Sequence, residues 1–364
     1  MVRTVWRVSR AVGRVLVVSA VVAVMSAGAA SASADSGPDV GGLRYDQTTS
    51  VGVHNTYEKA TYPFLVDALE AGAGLIELDV WTNAGGTGWR VSHENPLANE
   101  NNCVGGGSVD GPSGPRNGDL GACLTDLRTW HDANPAHRPV LVKIEMKDGF
   151  GAVPVGGSAG SAGIARGPAE FDALVQERLG DAVYRPADLL GAAATLDDAV
   201  RERGWPTRDE LAGRFLIDLI PGTVEEANPF DALWTDSEYA AHLRDLADSG
   251  DLTSAVAFPA VNGAAPGDPR LRYADVSLRP WFVVFDGDAS AYVDSDVDTG
   301  WYRDNNYLLV MTAAHAVVPA IDNRVPDPVA ASARVTELAG RSANVITSDW
   351  ATLPSVLSQV EPRR

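Results

Sequence analysis

Eight apolar, β-branched runs recur along the chain, at residues 50–55, 75–81, 140–147, 214–220, 254–261, 281–286, 306–312 and 344–349. Between most of them lie stretches with helical periodicity, at 62–71, 124–134, 169–179, 196–203, 237–249 and 328–339. The runs are apolar almost throughout rather than alternating. That is the pattern of strands buried on both faces, and such strands separated by helices form parallel sheets. Eight units of this kind predict an α/β fold, a closed (β/α)8 TIM-type barrel with allowance for distortion, in a single domain. The alternative is an open doubly wound sheet. It usually carries a glycine-rich dinucleotide fingerprint after its first strand, and none stands there.

The barrel is expected to occupy residues 48–364, behind a loose leader at 35–47 and a secretory signal peptide at 1–34. Arg3, Arg7, Arg10 and Arg14 form a basic start, residues 15–24 an apolar core, and Ala30-Ser31-Ala32 and Ala32-Ser33-Ala34 fit a small-x-small cleavage rule. The apolar core is too short and too diluted by small residues to read as a stable membrane anchor. Export agrees with the cysteine usage. Cys103 and Cys123 are the only two and bracket a glycine-rich loop, so they are expected to pair as a disulfide. The formal charge is −19, which argues against nucleic acid as a partner and against strong docking on anionic membranes.

The most informative stretch runs from Val51 to His93. An apolar run ends in His54-Asn55, the next carries Glu77 and Asp79, and a short third closes at His93. In a strand, positions i and i+2 share a face, so Glu77 and Asp79 project together. Two carboxylates on one face of an apolar strand are costly to bury unless a cation sits between them, and hard cations prefer oxygen ligands. The run at 140–147 adds Lys143, Glu145 and Lys147 on one face. Glu145 falls near the carboxyl end, level with Glu77 and Asp79, and Lys147 is placed to contact an anionic substrate oxygen.

The motifs VGVHNTY, IELDVW, VSH and KIEMK together resemble the catalytic half of phosphoinositide-specific phospholipase C, most closely its calcium-dependent, secreted bacterial branch. The wider superfamily of phosphodiesterase barrels shares the order His, Glu-x-Asp, His, Glu/Asp-x-Lys. The asparagine after the first histidine favours the phospholipase C branch, because glycerophosphodiesterases usually have His-Arg-Gly there. The resemblance covers roughly the first third of the mature chain; beyond Lys147 only strand order can be aligned. It implies His54 and His93 as the catalytic pair and Asn55, Glu77, Asp79 and Glu145 as ligands of Ca2+, with Mg2+ the lesser alternative. The implied reaction cleaves phosphatidylinositol, at a membrane or micelle surface, to diacylglycerol and a cyclic inositol phosphate. The neighbouring hydroxyl attacks internally and the histidines act as acid and base. A glycerophosphodiester phosphodiesterase or phospholipase D-like enzyme on the same barrel is the alternative, and a non-catalytic binding protein the second. A monomer is expected.

The remaining polar and aromatic candidates divide by position. His315 follows the seventh run, at the site end of a barrel, and is taken as a substrate contact. Trp350, after the last run, either walls the pocket or packs. Asp218 and Asp286 either line the mouth or are hydrogen-bonded within the barrel. His131 and His137 sit on or just past one predicted helix and His242 within another, and all three are given surface or capping roles. The acidic loop at 294–305 resembles an EF-hand, but its glycine comes one position late and its last position is Asn305, so it is read as an acidic loop.

Overall fold

The structure is a computed structural model and describes residues 39–82, 88–106, 115–150, 166–229, 231 and 233–364. The expected signal peptide lies outside the described residues, as do parts of the long loops after 93 and 147.

Eight parallel strands form the barrel: β1 (Thr48–Val53), β2 (Leu75–Thr82), β4 (Val140–Met146), β5 (Phe215–Pro221), β6 (Phe258–Asn262), β7 (Val284–Asp288), β8 (Leu308–Thr312) and β9 (Val345–Ser348). Two short strands, β3 (Trp89–Val91) and β10 (Val360–Pro362), add antiparallel flaps to β2 and β1. The ladder is continuous from β1 through β9, β8, β7, β6, β5 and β4 to β2. β1 and β2 close the circle without a ladder. Gly74 N–H donates to the Val51 carbonyl at 2.6 Å. A Cβ on Gly52 would lie 2.4 Å from that of Leu75, so only glycine allows the two backbones to approach so closely. This seam is the expected distortion.

All eight expected strands are present, with ends shifted by at most four residues. β1 and β2 are buried along their whole length, as their continuous apolar character requires. The helices start where the chain supplies caps. Asp119 accepts from Ala122 N–H ahead of Leu120–Ala133, Thr195 from Asp198 N–H ahead of Leu196–Arg203, and Asp327 from Ala330 N–H ahead of Pro328–Ala339. Cys103 and Cys123 form the disulfide, which staples the loop after β3 to the helix Leu120–Ala133.

The end of the expected loose leader is ordered instead. Tyr45 is buried, Arg44 pairs with Asp46 at 3.0 Å and Asp46 accepts from Trp205 N–H. Residues 43–47 therefore belong to the domain. An aromatic ring and a buried carboxylate at the foot of β1 gain packing and partners there that a solvated leader lacks.

Candidate active site

The register of the barrel strands stacks the polar residues in two tiers. Glu77 lies opposite Lys143 and Asp79 opposite Glu145 across β2 and β4, and Lys143 lies opposite Asp218 across β4 and β5. The inner tier holds Glu77, Lys143, Asp218 and Asp286. The Lys143 ammonium sits 3.4 Å from Glu77 Oε1 and 3.1 Å from Asp286. The outer tier, nearer the mouth, holds Asp79, Glu145 and Lys147. The Lys147 ammonium lies 3.2 Å from Asp79 Oδ2 and 2.8 Å from Glu145 Oε1. The end of this tier is tied down by Asp148, which accepts from the Thr82 amide.

His54 and Asn55 reach the same mouth from the end of β1. The His54 amide donates to the Ser348 carbonyl, and its Nδ1 lies 3.0 Å from Asp349 Oδ1. Asp349 is steadied in turn by Asn323, which donates to Oδ2 at 2.8 Å. The other imidazole nitrogen, Nε2, lies 3.7 Å from Glu77 Oε2. Burial pulls the imidazole down. The Asp349 hydrogen bond and the charges of Glu77 and Asp349 outweigh that, so its pKa is pushed up to about 9. Asn55 takes a left-handed conformation (φ 52°), which asparagine tolerates better than most residues. That turn aims its amide at Glu77 Oε2, 3.0 Å away, while its Oδ1 accepts from the Tyr57 hydroxyl. The Thr56 hydroxyl donates to the Glu77 carbonyl and accepts from the Glu77 amide, clamping the turn onto β2.

His93 follows β3. The amide of its neighbour Ser92 donates to the Asp79 carbonyl, which brings the segment beside the outer tier. Its ring is half-buried, with Nδ1 3.9 Å from Glu58, on the same loop as Asn55.

Oxygens of Glu77, Asp79 and Glu145 lie within 4.8 Å of one another. Asp79 Oδ1 is buried and has no hydrogen-bond partner. An orphaned carboxylate oxygen within a group of three converging carboxylates is what a hard cation of the calcium type needs, so the residues fit such an ion. Burial raises Asp79, and the charges of Glu77 and Glu145 add to the rise. Lys147 opposes it, leaving the pKa at about 7. Burial also opposes the charge on Glu77, but Lys143, His54 and the Asn55 amide hold it below its ordinary value. Of the three carboxylates Asp79 is thus the one that takes up a proton as pH falls below about 7 in the metal-free site. Calcium binding must release it, so affinity is expected to fall as pH drops below about 7, approaching tenfold per unit. Calorimetry at pH 6 in two buffers of different ionisation enthalpy checks this. Proton release near one per ion is the expected result, and none would contradict it.

His315 Nδ1 lies 2.9 Å from Ser348 Oγ, next in sequence to Asp349, so it stands beside the His54 anchor. Trp350 does not wall a pocket: it is completely buried, so it has no face to offer a substrate and packs in the core. Asp286 takes the hydrogen-bonded barrel role, held by the Lys143 ammonium. Asp218 is buried without a hydrogen-bond partner, and burial raises its pKa well above the ordinary carboxylate range. His131 contacts His137 at 3.2 Å, and His242 contacts Asp172 at 2.7 Å, both among helices. Among the described residues, the acidic loop at 294–305 forms no group of converging carboxylates.

Asp349, Asn323 and Thr56 escape sequence reasoning. Asp349 closes the last strand just as His54 closes the first, and only a closed barrel makes those ends neighbours.

Residues 115–244 match the family described as phosphoinositide phospholipase C, Ca2+-dependent. That segment holds Glu145 and Lys147 but begins after His54, Glu77, Asp79 and His93. A Ca2+-dependent phosphatidylinositol-specific phospholipase C from Streptomyces antibioticus is 58% identical, with a TM-score of 0.83, over 88% of this chain and 99% of that one. The calcium-dependent phosphoinositol-specific phospholipase C of a Gram-negative Pseudomonas species is 20% identical, with a TM-score of 0.65, over 90% of this chain and 97% of its own. At that identity the likeness speaks for the barrel alone. No curated protein matches the chain significantly. An identity above one half, sustained over nearly all of the Streptomyces enzyme, decides the matter: this chain belongs to the Ca2+-dependent phosphoinositide-specific phospholipases C, phosphodiesterases that work with calcium.

Proposed function

We propose that the enzyme cleaves phosphatidylinositol to diacylglycerol and a cyclic inositol phosphate, at the mouth formed by His54, His93, Asn55, Glu77, Asp79, Glu145 and Lys147. The observation that carries this reading is the convergence of three carboxylates, one with an orphaned oxygen, beside an imidazole anchored through Nδ1. Glu77, Asp79, Glu145 and Asn55 would hold calcium, which when bound would supply a lowered pKa to an adjacent hydroxyl and charge stabilisation to phosphoryl oxygens.

The protein's own groups do the rest. Asp349 holds His54 Nδ1, so Nε2 faces the mouth as a donor to a phosphoryl oxygen. His93 is half-buried and its closest acidic partners lie 3.9–4.0 Å away, which suits a group that must exchange a proton with solvent. It protonates the departing glycerol oxygen, while the proton of the attacking hydroxyl passes to a carboxylate of the mouth. Lys147 offers a positive charge to the phosphodiester, and His315 lies within reach of the same edge.

Following phosphatidylinositol by ³¹P NMR, with calcium or with chelator, tests the reaction. Calcium-dependent appearance of a cyclic inositol phosphate is expected, and its chemical shift reports which hydroxyl attacked. Release of a free alcohol without an inositol phosphate would point to the phospholipase D-like chemistry instead.

The substrate is met at a lipid surface. Leu97 (75% exposed), Val318 (75%) and Val325 (81%) stand out on the segments that follow β3 and β8, with Val224 and Leu233 after β5. The segments after β5 and β8 leave the carboxyl ends of barrel strands, around the catalytic mouth, and Leu97 lies four residues past His93. Burying two valines in a bilayer interface contributes about 3 kcal/mol. The double variant Val318→Asp/Val325→Asp is therefore expected to bind phosphatidylinositol vesicles at least about tenfold more weakly in a sedimentation assay. Hydrolysis of soluble glycerophosphoinositol should be unaffected. The enzyme reaches such surfaces by export through residues 1–34, and amino-terminal sequencing of protein from the medium should read from Ser33 or Asp35.

A further inference from the structure

Both lysines of the mouth are bound to carboxylates, but in different ways. Lys143 is clasped between Glu77 and Asp286, deep in the inner tier, and Asp286 is not one of the converging donors. It can keep Asp286 whatever happens at Glu77. Lys147 has no such second home. Among the described residues its acidic partners are Asp79 and Glu145, two of the three carboxylates assigned to calcium. Its ammonium, 2.8–3.2 Å from their oxygens, neutralises the very charges that would draw in a divalent ion. An ion bound to the same carboxylates sits about 2.3–2.6 Å from their oxygens. Ammonium and ion would then lie within a few ångströms of each other and repel strongly in a buried setting.

The backbone allows the ammonium to leave. The Lys147 amide donates to the Val80 carbonyl at 2.7 Å, and its carbonyl accepts from Glu225 N–H at 2.9 Å. The main chain stays pinned from both sides while a four-carbon side chain at the strand's end can swing toward the mouth.

We infer that Lys147 is a built-in stand-in cation: it occupies Asp79 and Glu145 in the metal-free enzyme, and calcium displaces it toward the phosphodiester anion. Metal and anion binding are thereby coupled. Without an anion to receive it, the lysine resists calcium; with one, it has a place to go. The coupling is reciprocal, so calcium also recruits the anion. This inference rests on the reading of Glu77, Asp79 and Glu145 as calcium donors.

Calcium titration by calorimetry tests it in the full-length mature protein, using wild type, Lys147→Met, Lys147→Gln and Asp79→Asn, with thermal melts to confirm folding. Removing the ammonium is expected to tighten calcium about tenfold or more in both lysine variants, although both lose activity. Lys147→Gln serves if the methionine variant does not fold. In wild type, myo-inositol 1-phosphate as the anion probe is expected to tighten calcium severalfold, and by less once Lys147 is gone. Unchanged or weaker calcium binding in the lysine variants, with binding lost in Asp79→Asn, overturns the inference and makes Lys147 a plain structural partner. Equal tightening by the anion with and without the ammonium overturns it too. Wild-type calcium affinity in Asp79→Asn would instead show that the donor assignment itself is wrong.

Discussion

Replacing Asp79 by asparagine is expected to abolish calcium binding and to lower kcat/KM on phosphatidylinositol by about a thousandfold or more. The size of the effect follows from position. Asp79 is only 1% exposed, one of its oxygens is buried without a hydrogen-bond partner, and the other meets Lys147. Asparagine keeps the shape but removes the charge, and its amide hydrogens would point a donor toward the ion. The same substitution should spare or even stabilise the metal-free protein. The folded-state pKa of Asp79 is raised to about 7, far above its unfolded value. Its ionised form therefore opposes folding, a penalty that grows from about pH 4 and is complete above about pH 7. Loss of Lys147's partner offsets part of the relief, which leaves a gain on the order of 1–2 kcal/mol at pH 8. A melting temperature that rises without calcium and no longer responds to it, together with lost turnover, is the signature to look for. Calcium-dependent stabilisation surviving in the variant would sink the assignment of Asp79.

His54→Ala is expected to cost about 10²–10³ in kcat, the range for a lost hydrogen-bond donor to charge developing on the phosphoryl oxygens, while leaving calcium binding within a few-fold of wild type. The two effects separate because His54 contacts the carboxylate group only through Glu77 Oε2, at 3.7 Å. Glu77 keeps the Asn55 amide and the Lys143 ammonium when the imidazole is gone. Asp349→Asn should lose less, about 10–100-fold, because the ring remains but its Nδ1 is no longer held by a charge. Steady-state kinetics on phosphatidylinositol, paired with calcium calorimetry on the same preparations, measure both. Activity within tenfold of wild type in His54→Ala would remove this histidine from the chemistry. A large loss of calcium affinity would mean that it acts through Glu77 instead.

Much of this site is legible in the linear chain, for reasons of local geometry. The two-residue period of a strand puts Glu77 beside Asp79, and Lys143, Glu145 and Lys147 on one face, whatever the rest of the chain does. Strand ends are marked by the loss of apolar character, which is why the linear pattern alone places His54 and Asn55 at a mouth. Cys103 and Cys123 pair because no other cysteines compete. The alternation of buried runs with capped helices is likewise local, and it carries the barrel.

What the sequence leaves open are the contacts made by closure and register. The sheet bends until β1 lies beside β9, so His54 meets Asp349, 295 positions away. No local pattern encodes that distance. Cross-strand register decides that Lys143 faces Asp286 rather than solvent, and that Lys147 settles between Asp79 and Glu145. Closure also buries Trp350 completely, although a strand end suits a pocket wall equally well. The apolar and polar periods along each strand thus determined which residues point inward. Only the closing of the barrel decided which inward residues meet, because that depends on how strands far apart in the chain align across shared hydrogen bonds.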